Sequence, residues 1–300
     1  MDLNAQIVYF LQQVINGIQL GSVYALIALG YTMVYGIVRL INFAHGDVFM
    51  VGAFAGFFAV SVLGLSFLPA IILAMIVSMV LGVTIERLAY RPLRRAPKIA
   101  ALITAIGVSI FLEYFTSLNF VFGPNYRTFP RPFEVTSWNI GGVAISNILV
   151  IILGVSLFLV VALQLFVTRT KVGIAMRAVS FDHDAARLMG INVDTVISIT
   201  FAIGSALAGA GGVLFAIAYP QVDPFMGIMP GLKAFVAAVL GGIGIIPGAL
   251  LGSLIMGQAE VLTTGYVSST LRDLVAFGIL IIVLLVRPTG LLGKSGVEKV

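Results

Sequence analysis

Long apolar runs separated by short polar breaks dominate the chain. The runs cover residues 7–35, 48–63, 68–88, 99–121, 145–167, 195–218, 231–240, 248–262 and 271–286. A membrane-crossing helix needs roughly 20 apolar residues, and several runs reach that length. The runs are continuous rather than alternating, and lipid leaves backbone groups no external partner, so the pattern predicts helices. We predict an all-α polytopic transmembrane bundle of about eight spans, forming one domain over residues 1–300.

The run at 231–240 is too short for a comfortable span. It is followed by the sequence GGIGIIP over residues 241–247 and then by the run at 248–262. This pattern predicts a broken or re-entrant helix pair near 231–262, which is tolerated only where it is buried in protein or lines a cavity. The glycines do not form a nucleotide loop, because Pro247 stands where GxGxxG needs its third glycine. Lys233 and Glu260 flank this region and either pair or lie at its ends.

Composition supports a membrane location. The chain is 60% hydrophobic and 10% charged, whereas soluble domains carry about a quarter charged residues. Its outer surface must therefore face lipid. The first run lacks the basic and cleavable ends of a signal peptide, so we expect a retained span. The chain has no cysteine and two histidines, so we expect no disulfide, metal site or cofactor.

The net charge of +5 reflects membrane orientation rather than nucleic-acid binding. The cations gather at Arg39, within 87–98, within 169–187 and in the tail at Lys294 and Lys299. Basic residues favour the cytoplasmic side of a membrane. We therefore predict that these four segments are cytoplasmic, with the N-terminus outside, the C-terminus inside, and the loop at 122–142 outside.

Polar side chains within the apolar runs are candidates for a translocation path. Three of them are spaced to share one helical face, where they form either a path or a hydrogen-bonded seam between helices. Two others lie in the polar break that ends at Asp47. This break is either a cytoplasmic turn, with Asp47 capping the next helix, or part of a proton relay through His45. The carboxylate of Glu113 lies inside a predicted span. It is either functional or lies near the outer interface and forms a hydrogen bond to a neighbouring helix. The candidates are Gln12, Asn16, Gln19, Asn42, His45 and Glu113.

The cytoplasmic segment 169–194 contains a short amphipathic helix. Ser180 or Asp182 is a suitable N-cap, and Gly190 stands where a helix ends. The helix has an apolar face at i, i+4, i+7 and i+8 spacing. It is either a connector lying on the membrane surface or a docking site for a soluble partner. The candidate docking residues are Ser180, Phe181, Asp182, Ala185, Ala186, Leu188, Met189 and Gly190.

Four long motifs resemble the branched-chain amino-acid permease family of bacterial ABC importers. They are INFAHGDVFMVGAF at 41–54, ERLAYRPLR at 86–94, DHDAARLMGIN at 182–192 and GLKAFVAAVLGGIGIIPGALLG at 231–252. Their order and spacing match along nearly the whole chain. The C-terminal RPTGLLG is similar to the LivH-type subunits of the family.

The resemblance implies a permease subunit in the bacterial inner membrane. It implies as partners a homologous second permease subunit, two cytoplasmic ABC ATPase subunits, and a periplasmic binding protein that delivers leucine, isoleucine or valine. Segment 182–192 would contact the ATPase. Related permeases for urea and short amides share much of the pattern, which leaves the substrate open.

The sequence also bears on the source of energy. We find no Walker A motif, catalytic triad or metal constellation in it, so we expect that the chain is not an enzyme and that its partners hydrolyse ATP. Two rival functions remain. One is a proton-coupled secondary transporter with Glu113, His45 and Asp47 as its relay, and the other is a passive channel.

Overall fold

A computed structural model describes residues 3–94 and 96–293, apart from the side chain of Lys98. The predicted cytoplasmic cations Arg95, Lys294 and Lys299 lie outside the described residues. The helices are α1 Leu3–Val38, α2 His45–Ser61, α3 Phe67–Ile85, α4 Lys98–Thr116, α5 Asn147–Arg169, α6 Lys171–Phe181, α7 His183–Leu188, α8 Val193–Ala218, α9 Ile228–Gly241, α10 Ile246–Tyr266 and α11 Arg272–Val286. A π-helical turn, Glu86–Tyr90, and a 3-10 turn, Arg91–Leu93, extend α3, and a second 3-10 turn, Ser269–Leu271, precedes α11.

The helices confirm the all-α class. Within the described residues, seven helical segments are long and apolar enough to cross a membrane, and the apolar helices α2 and α9 are shorter. The expected count of about eight lies between the long helices alone and the total with both short ones. Seven passes, or nine with α2 and α9, are both odd numbers, and the predicted orientation, with the two ends of the chain on opposite sides, requires an odd number.

Helices α1 and α8 form the centre of the bundle, whereas α4, α5 and α11 expose most of their surface. Small residues let the central helices approach closely. A Cβ at Gly204 of α8 would lie 3.2 Å from the Cα of Gly30 in α1. A Cβ at Gly52 of α2 would overlap Gly209 of α8. The Gly- and Ala-rich sequence of α8 thus produces its central position.

Helix α2 begins inside the bundle rather than at its cytoplasmic edge. After α1 ends, Arg39 has a φ of 55° and turns the chain back. Residues 39–44 are largely non-helical, and α2 starts with His45 against Gly30, about two helical turns before the end of α1. The predicted cytoplasmic turn is therefore an inward-returning segment. Asp47 is not the N-cap, which is Ala44; it lies in the first turn and accepts a hydrogen bond from Ser109 of α4.

The broken pair near 231–262 consists of one short helix and one full-length helix. Helix α9 has 14 residues, and its start packs against the start of α2, where Gly227 and Gly231 contact Gly46. After the turn at 242–245, α10 continues for 21 residues and is long enough to cross a membrane. The two short helices α2 and α9 therefore begin side by side within the bundle.

Short strands tie the loop at 122–142, which the sequence predicts to be external, to the helix ends. Strand β1, Arg127–Thr128, pairs antiparallel with β4, Gln221–Val222. Strands β2, Ser137–Ile140, and β3, Val143–Ser146, form a hairpin. Its turn contains Gly141 and Gly142 at φ values of 61° and 91°, which glycine adopts without steric cost. The loop thus covers the end of the bundle opposite α6 and α7.

Candidate functional site

A cavity of about 780 Å³ lies between α1, α9, α10, the end of α8 and the start of α11. It is at the end of the bundle that the sequence predicts to face outside, which we call the external end. There, the Tyr9 hydroxyl near the start of α1 donates to the carbonyl of Gly265 near the end of α10, at 2.9 Å. Its size suits a small molecule, because ligand pockets usually have volumes of a few hundred to a thousand Å³.

The cavity is lined by both polar and apolar side chains. Gln13, Asn16 and Gln19 of α1 provide amide groups. The apolar side chains come from α1, α8, α9, α10 and the segment before α9. They are Leu20, Phe215, Met226, Met229 and Val261. An amphipathic small molecule therefore finds both kinds of contact here.

Four charged side chains meet beside the cavity. Lys233 Nζ lies 2.8 Å from Glu260 Oε1 and 2.7 Å from Asp273 Oδ1. Arg272 Nε lies 3.3 Å from Glu260 Oε1 and 3.5 Å from Asp273 Oδ1. The Tyr24 hydroxyl donates to Glu260 Oε2 at 2.8 Å. Pairing offsets the cost of burying Lys233 and Glu260, whose side chains are 2% and 5% exposed.

Two of the predicted path residues, Asn16 and Gln19, line this cavity. Gln12 shares their helical face but binds the external hairpin. Its Oε1 accepts from the Ala144 amide at 2.9 Å, and its Nε2 donates to the Ala144 carbonyl at 3.2 Å. Gln12 also donates to Asn16 Oδ1 at 3.1 Å. The polar face is thus partly a seam and partly a cavity wall.

The other predicted path residues lie elsewhere. Asn42 is buried and accepts a hydrogen bond from the Tyr90 hydroxyl at 2.9 Å. His45 is buried with its ring centroid 4.8 Å from that of Tyr31, in an edge-on arrangement. Glu113 lines a separate cavity of about 230 Å³, together with Asp47, between α4 and the starts of α2 and α9. The six predicted path residues therefore do not line one common cavity.

Sequence reasoning did not select the four-charge cluster as a site. The sequence allowed Lys233 and Glu260 either to pair or to lie at the ends of the broken helix region, and the structure shows that they pair. The signal was available, because an ionisable residue within a membrane segment is a functional candidate. Arg272 and Asp273 gave no such signal, since they begin a helix after a polar turn.

The segment at 169–194, which the sequence predicts to be cytoplasmic, contains two short helices, α6 and α7. Asp182 caps α7 and accepts hydrogen bonds from the amides of Asp184 and Ala185, at 2.8 and 3.0 Å. These backbone donors hold the pKa of Asp182 below its usual value. Ser180 instead donates to the Arg177 carbonyl. Of the two predicted caps, Asp182 is therefore the one used.

Large apolar side chains are exposed on both sides of α7, and we define Phe181 at the end of α6, Leu188 at the end of α7 and Met189 after it as the apolar patch. Phe181 and Leu188 are each 89% exposed, and Met189 is 82% exposed. Ala186 faces the other way and is buried. Gly190 ends the helix at a φ of 82°, as expected for a C-terminal glycine. Three large apolar side chains this exposed within nine residues of the chain are unusual on a water-exposed surface.

Helix α7 also touches the transmembrane core. His183 Nε2 lies 2.8 Å from the carbonyl oxygen of Ile37, in the last turn of α1. Nearby, Arg94 pairs with both Glu86 and Asp194. These pairs connect the π-helical turn after α3 with the start of α8. A movement of α7 would therefore act directly on the last turn of α1.

Comparison with known proteins defines the family. The family described as "Branched-chain amino acid transport system / permease component" matches residues 13–284. The chain belongs to this family. The match includes the charged residues beside the cavity and the apolar patch, and it confirms the resemblance found in the four motifs.

Individual relatives align over nearly their full length. The chain is 45% identical to the high-affinity branched-chain amino acid transport system permease protein LivH of Salmonella typhimurium, over 99% of this chain and 100% of that protein. It is 44% identical to the corresponding BraD protein of Pseudomonas aeruginosa, over 98% and 99%. A probable LivH of Methanocaldococcus jannaschii is 28% identical over 89% and 88%. The chain is therefore a multi-pass membrane permease component.

Proposed function

We propose that this chain is one membrane subunit of an ATP-driven importer for leucine, isoleucine and valine in the bacterial inner membrane. The observation that carries the proposal is the full-length similarity to permeases named for branched-chain amino acid transport. Its partners are a homologous permease subunit, two cytoplasmic ABC ATPases and a periplasmic binding protein. The chain conducts the substrate, and ATP is hydrolysed by the separate ATPase subunits.

The external cavity receives the amino acid from the binding protein. Its apolar side chains, which include Leu20, Met226 and Val261, shelter an aliphatic side chain from water. Its inner end is formed by the first turn of α9, where Met229 and Pro230 line the cavity. Because α9 starts against α2, a shift between these two short helices would open or close the path below the cavity.

The apolar patch docks into an ATPase subunit. Burying three large side chains that are exposed in the isolated chain gives the contact its stability. Closure of the ATPase dimer then moves α7. Ala186 and His183, which contact the bundle, pass this movement to α1 and so favour one of two transport states.

The proposal is tested with the complete complex in lipid vesicles. Uptake of labelled leucine should require ATP and the binding protein, and it should survive an uncoupler while ATP is maintained. Uptake that collapses with the proton gradient would favour a relay through Glu113, Asp47 and His45. Transport of urea in preference to leucine would contradict the substrate assignment.

A further inference from the structure

The charge cluster consists of Lys233, Glu260, Arg272 and Asp273. One ion pair would be enough to hold two helices together, and this cluster has more. Lys233 is 2% exposed and already contacts both carboxylates within 2.8 Å. Arg272 adds a second cation at longer distances, 3.3 and 3.5 Å, and its side chain is 49% exposed. One tightly held cation and one loosely held cation therefore share the same two anions.

The cluster faces the external cavity. Lys233, Glu260 and Arg272 all line it, together with Tyr24, which donates to Glu260. The apolar side chains of Leu20 and Val261 line the same space. A ligand in the cavity thus meets cations, an anion and apolar surface at once.

The start of α9 adds to the positive side of this arrangement. Met229 and Pro230, in the first turn of this 14-residue helix, line the cavity beside Lys233. The N-terminal end of a helix carries a partial positive charge that favours a nearby anion. The carboxylate-binding side of the cavity is therefore expected beside α9 and Arg272, and the ammonium-binding side beside Glu260.

We propose that this cluster binds the charged main-chain groups of an aliphatic α-amino acid as it enters the transport path. Arg272 and Lys233 bind the α-carboxylate, and Glu260 binds the α-ammonium, while the apolar residues of the cavity hold the side chain. This inference rests on the proposed function and gives its cavity a specific ligand chemistry: a zwitterion with an apolar side chain.

Charge balance explains how such a site could hold the substrate only briefly. The two cations and two anions of the cluster sum to zero, as do the charges of the zwitterion. When the substrate leaves, Arg272 and Lys233 return to Glu260 and Asp273, so departure leaves no buried charge unpaired. The pairs within the protein compete with the substrate, which favours weak binding and rapid passage.

A cysteine reporter tests this directly, because the chain has no cysteine of its own. Thr264→Cys places a thiol on the cavity wall, and its rate of labelling by a water-soluble thiol reagent is measured on the complete complex. L-Leucine should slow this labelling. Leucinol lacks the carboxylate and 4-methylpentanoate lacks the ammonium, so each should protect about tenfold less well. Val62→Cys, exposed at the external end of α2, is the control and should label equally with every ligand.

Charge-removing variants locate the effect. Glu260→Gln in the reporter background should weaken protection by leucine by about tenfold or more. Should that variant fail to assemble, Arg272→Gln removes a half-exposed cation and should also weaken protection. Arg127→Gln, an external arginine in β1, is the matched control and should leave protection unchanged.

The outcomes separate this inference from the proposed function. Equal protection by leucine, leucinol and 4-methylpentanoate would overturn it, because the apolar residues alone would explain binding. Absence of leucine protection in a complex that still imports leucine would also overturn it and leave the proposed function intact. Failure of the unmodified complex to import leucine would instead overturn the proposed function.

Discussion

Proteins usually bury apolar side chains and expose charged ones, and the two ends of this permease depart from that rule in different ways. At the external end, Lys233 and Glu260 are buried as ions. At the cytoplasmic end, Phe181 and Leu188 are apolar and almost fully exposed. Each arrangement costs free energy in the isolated chain unless something compensates it. The external end compensates internally by pairing its charges, whereas the cytoplasmic end is covered by an ATPase subunit in the function that we propose.

This difference matches the two tasks that we propose, passage of the substrate at one end and docking of the ATPase at the other. A transport path must release its ligand, and self-paired charges keep the site stable when it is empty. A docking surface must keep its partner through many cycles, and exposed apolar side chains gain the most when they remain covered. Mutations at the external end should therefore affect stability first, whereas mutations at the cytoplasmic end should affect assembly first.

The largest effect is expected for Lys233→Met. It leaves Glu260 and Asp273 without their buried amine, and breaking a buried ion pair costs about 3–5 kcal/mol. The thermal unfolding temperature of the purified complex should fall and leucine uptake should be lost. Arg272→Met, at a half-exposed position, is the matched comparison and should lower the unfolding temperature much less. Equal shifts for the two variants would contradict the distinction between a tightly and a loosely held cation.

Leu188→Glu should release the ATPase without destabilising the permease. Loss of one large apolar contact costs about 2 kcal/mol, or about 30-fold in affinity. The measurement is the amount of ATPase recovered when the permease is purified. Val267→Glu, at an exposed position on the external end of α10, is the control and should keep the ATPase.

Ala186→Glu and Gly190→Trp extend the same test. Ala186 is buried against the bundle, so a glutamate there should lift α7 and release the ATPase while the protein stays in the membrane. Gly190 has a left-handed φ of 82°, which strains any residue with a side chain. Full retention of the ATPase by both variants would argue against docking through α7.

His183→Ala should have a smaller effect, on coupling rather than on assembly. It removes the 2.8 Å contact with the Ile37 carbonyl, worth about 1 kcal/mol. The ATPase should stay bound, but the number of leucine molecules imported per ATP hydrolysed should fall several-fold. An unchanged ratio would show that movement reaches α1 by another route.

The smallest effect is expected for Glu113→Gln. Glu113 lines a separate cavity of about 230 Å³ that none of the four cluster residues lines, and glutamine keeps the size of its side chain, so leucine uptake should change by no more than about twofold. A large loss of uptake would indicate that the transport path passes through that cavity, and it would support a proton relay with Asp47. Uptake is compared with the unmodified complex at equal amounts of protein in the vesicles.

The sequence predicts the bundle well because membrane segments must be apolar along most of their length. Hydrophobic runs located the long helices, and local rules located Asp182 and Gly190 at the ends of α7. The return of residues 39–44 into the bundle was not predictable, because it depends on Arg39 adopting a left-handed backbone conformation that its residue type disfavours.

The external site was harder to predict, since it is assembled from distant segments. Lys233 and Glu260 lie on different helices, and Asp273 follows a further turn. Spacing along one helix identifies Asn16 and Gln19 but gives no information on which helix faces them. Gln12 shows the limit of this reasoning, because it shares their face yet binds the backbone of Ala144.

The most direct test of the account is a cross-link from the apolar patch. With no native cysteine in the chain, Leu188→Cys provides a single thiol on α7 for a short thiol-to-amine cross-linker in intact membranes. The account predicts a covalent product with the ATPase subunit, and no such product from Val62→Cys at the external end. Cross-linking of Val62→Cys but not of Leu188→Cys to the ATPase would contradict it.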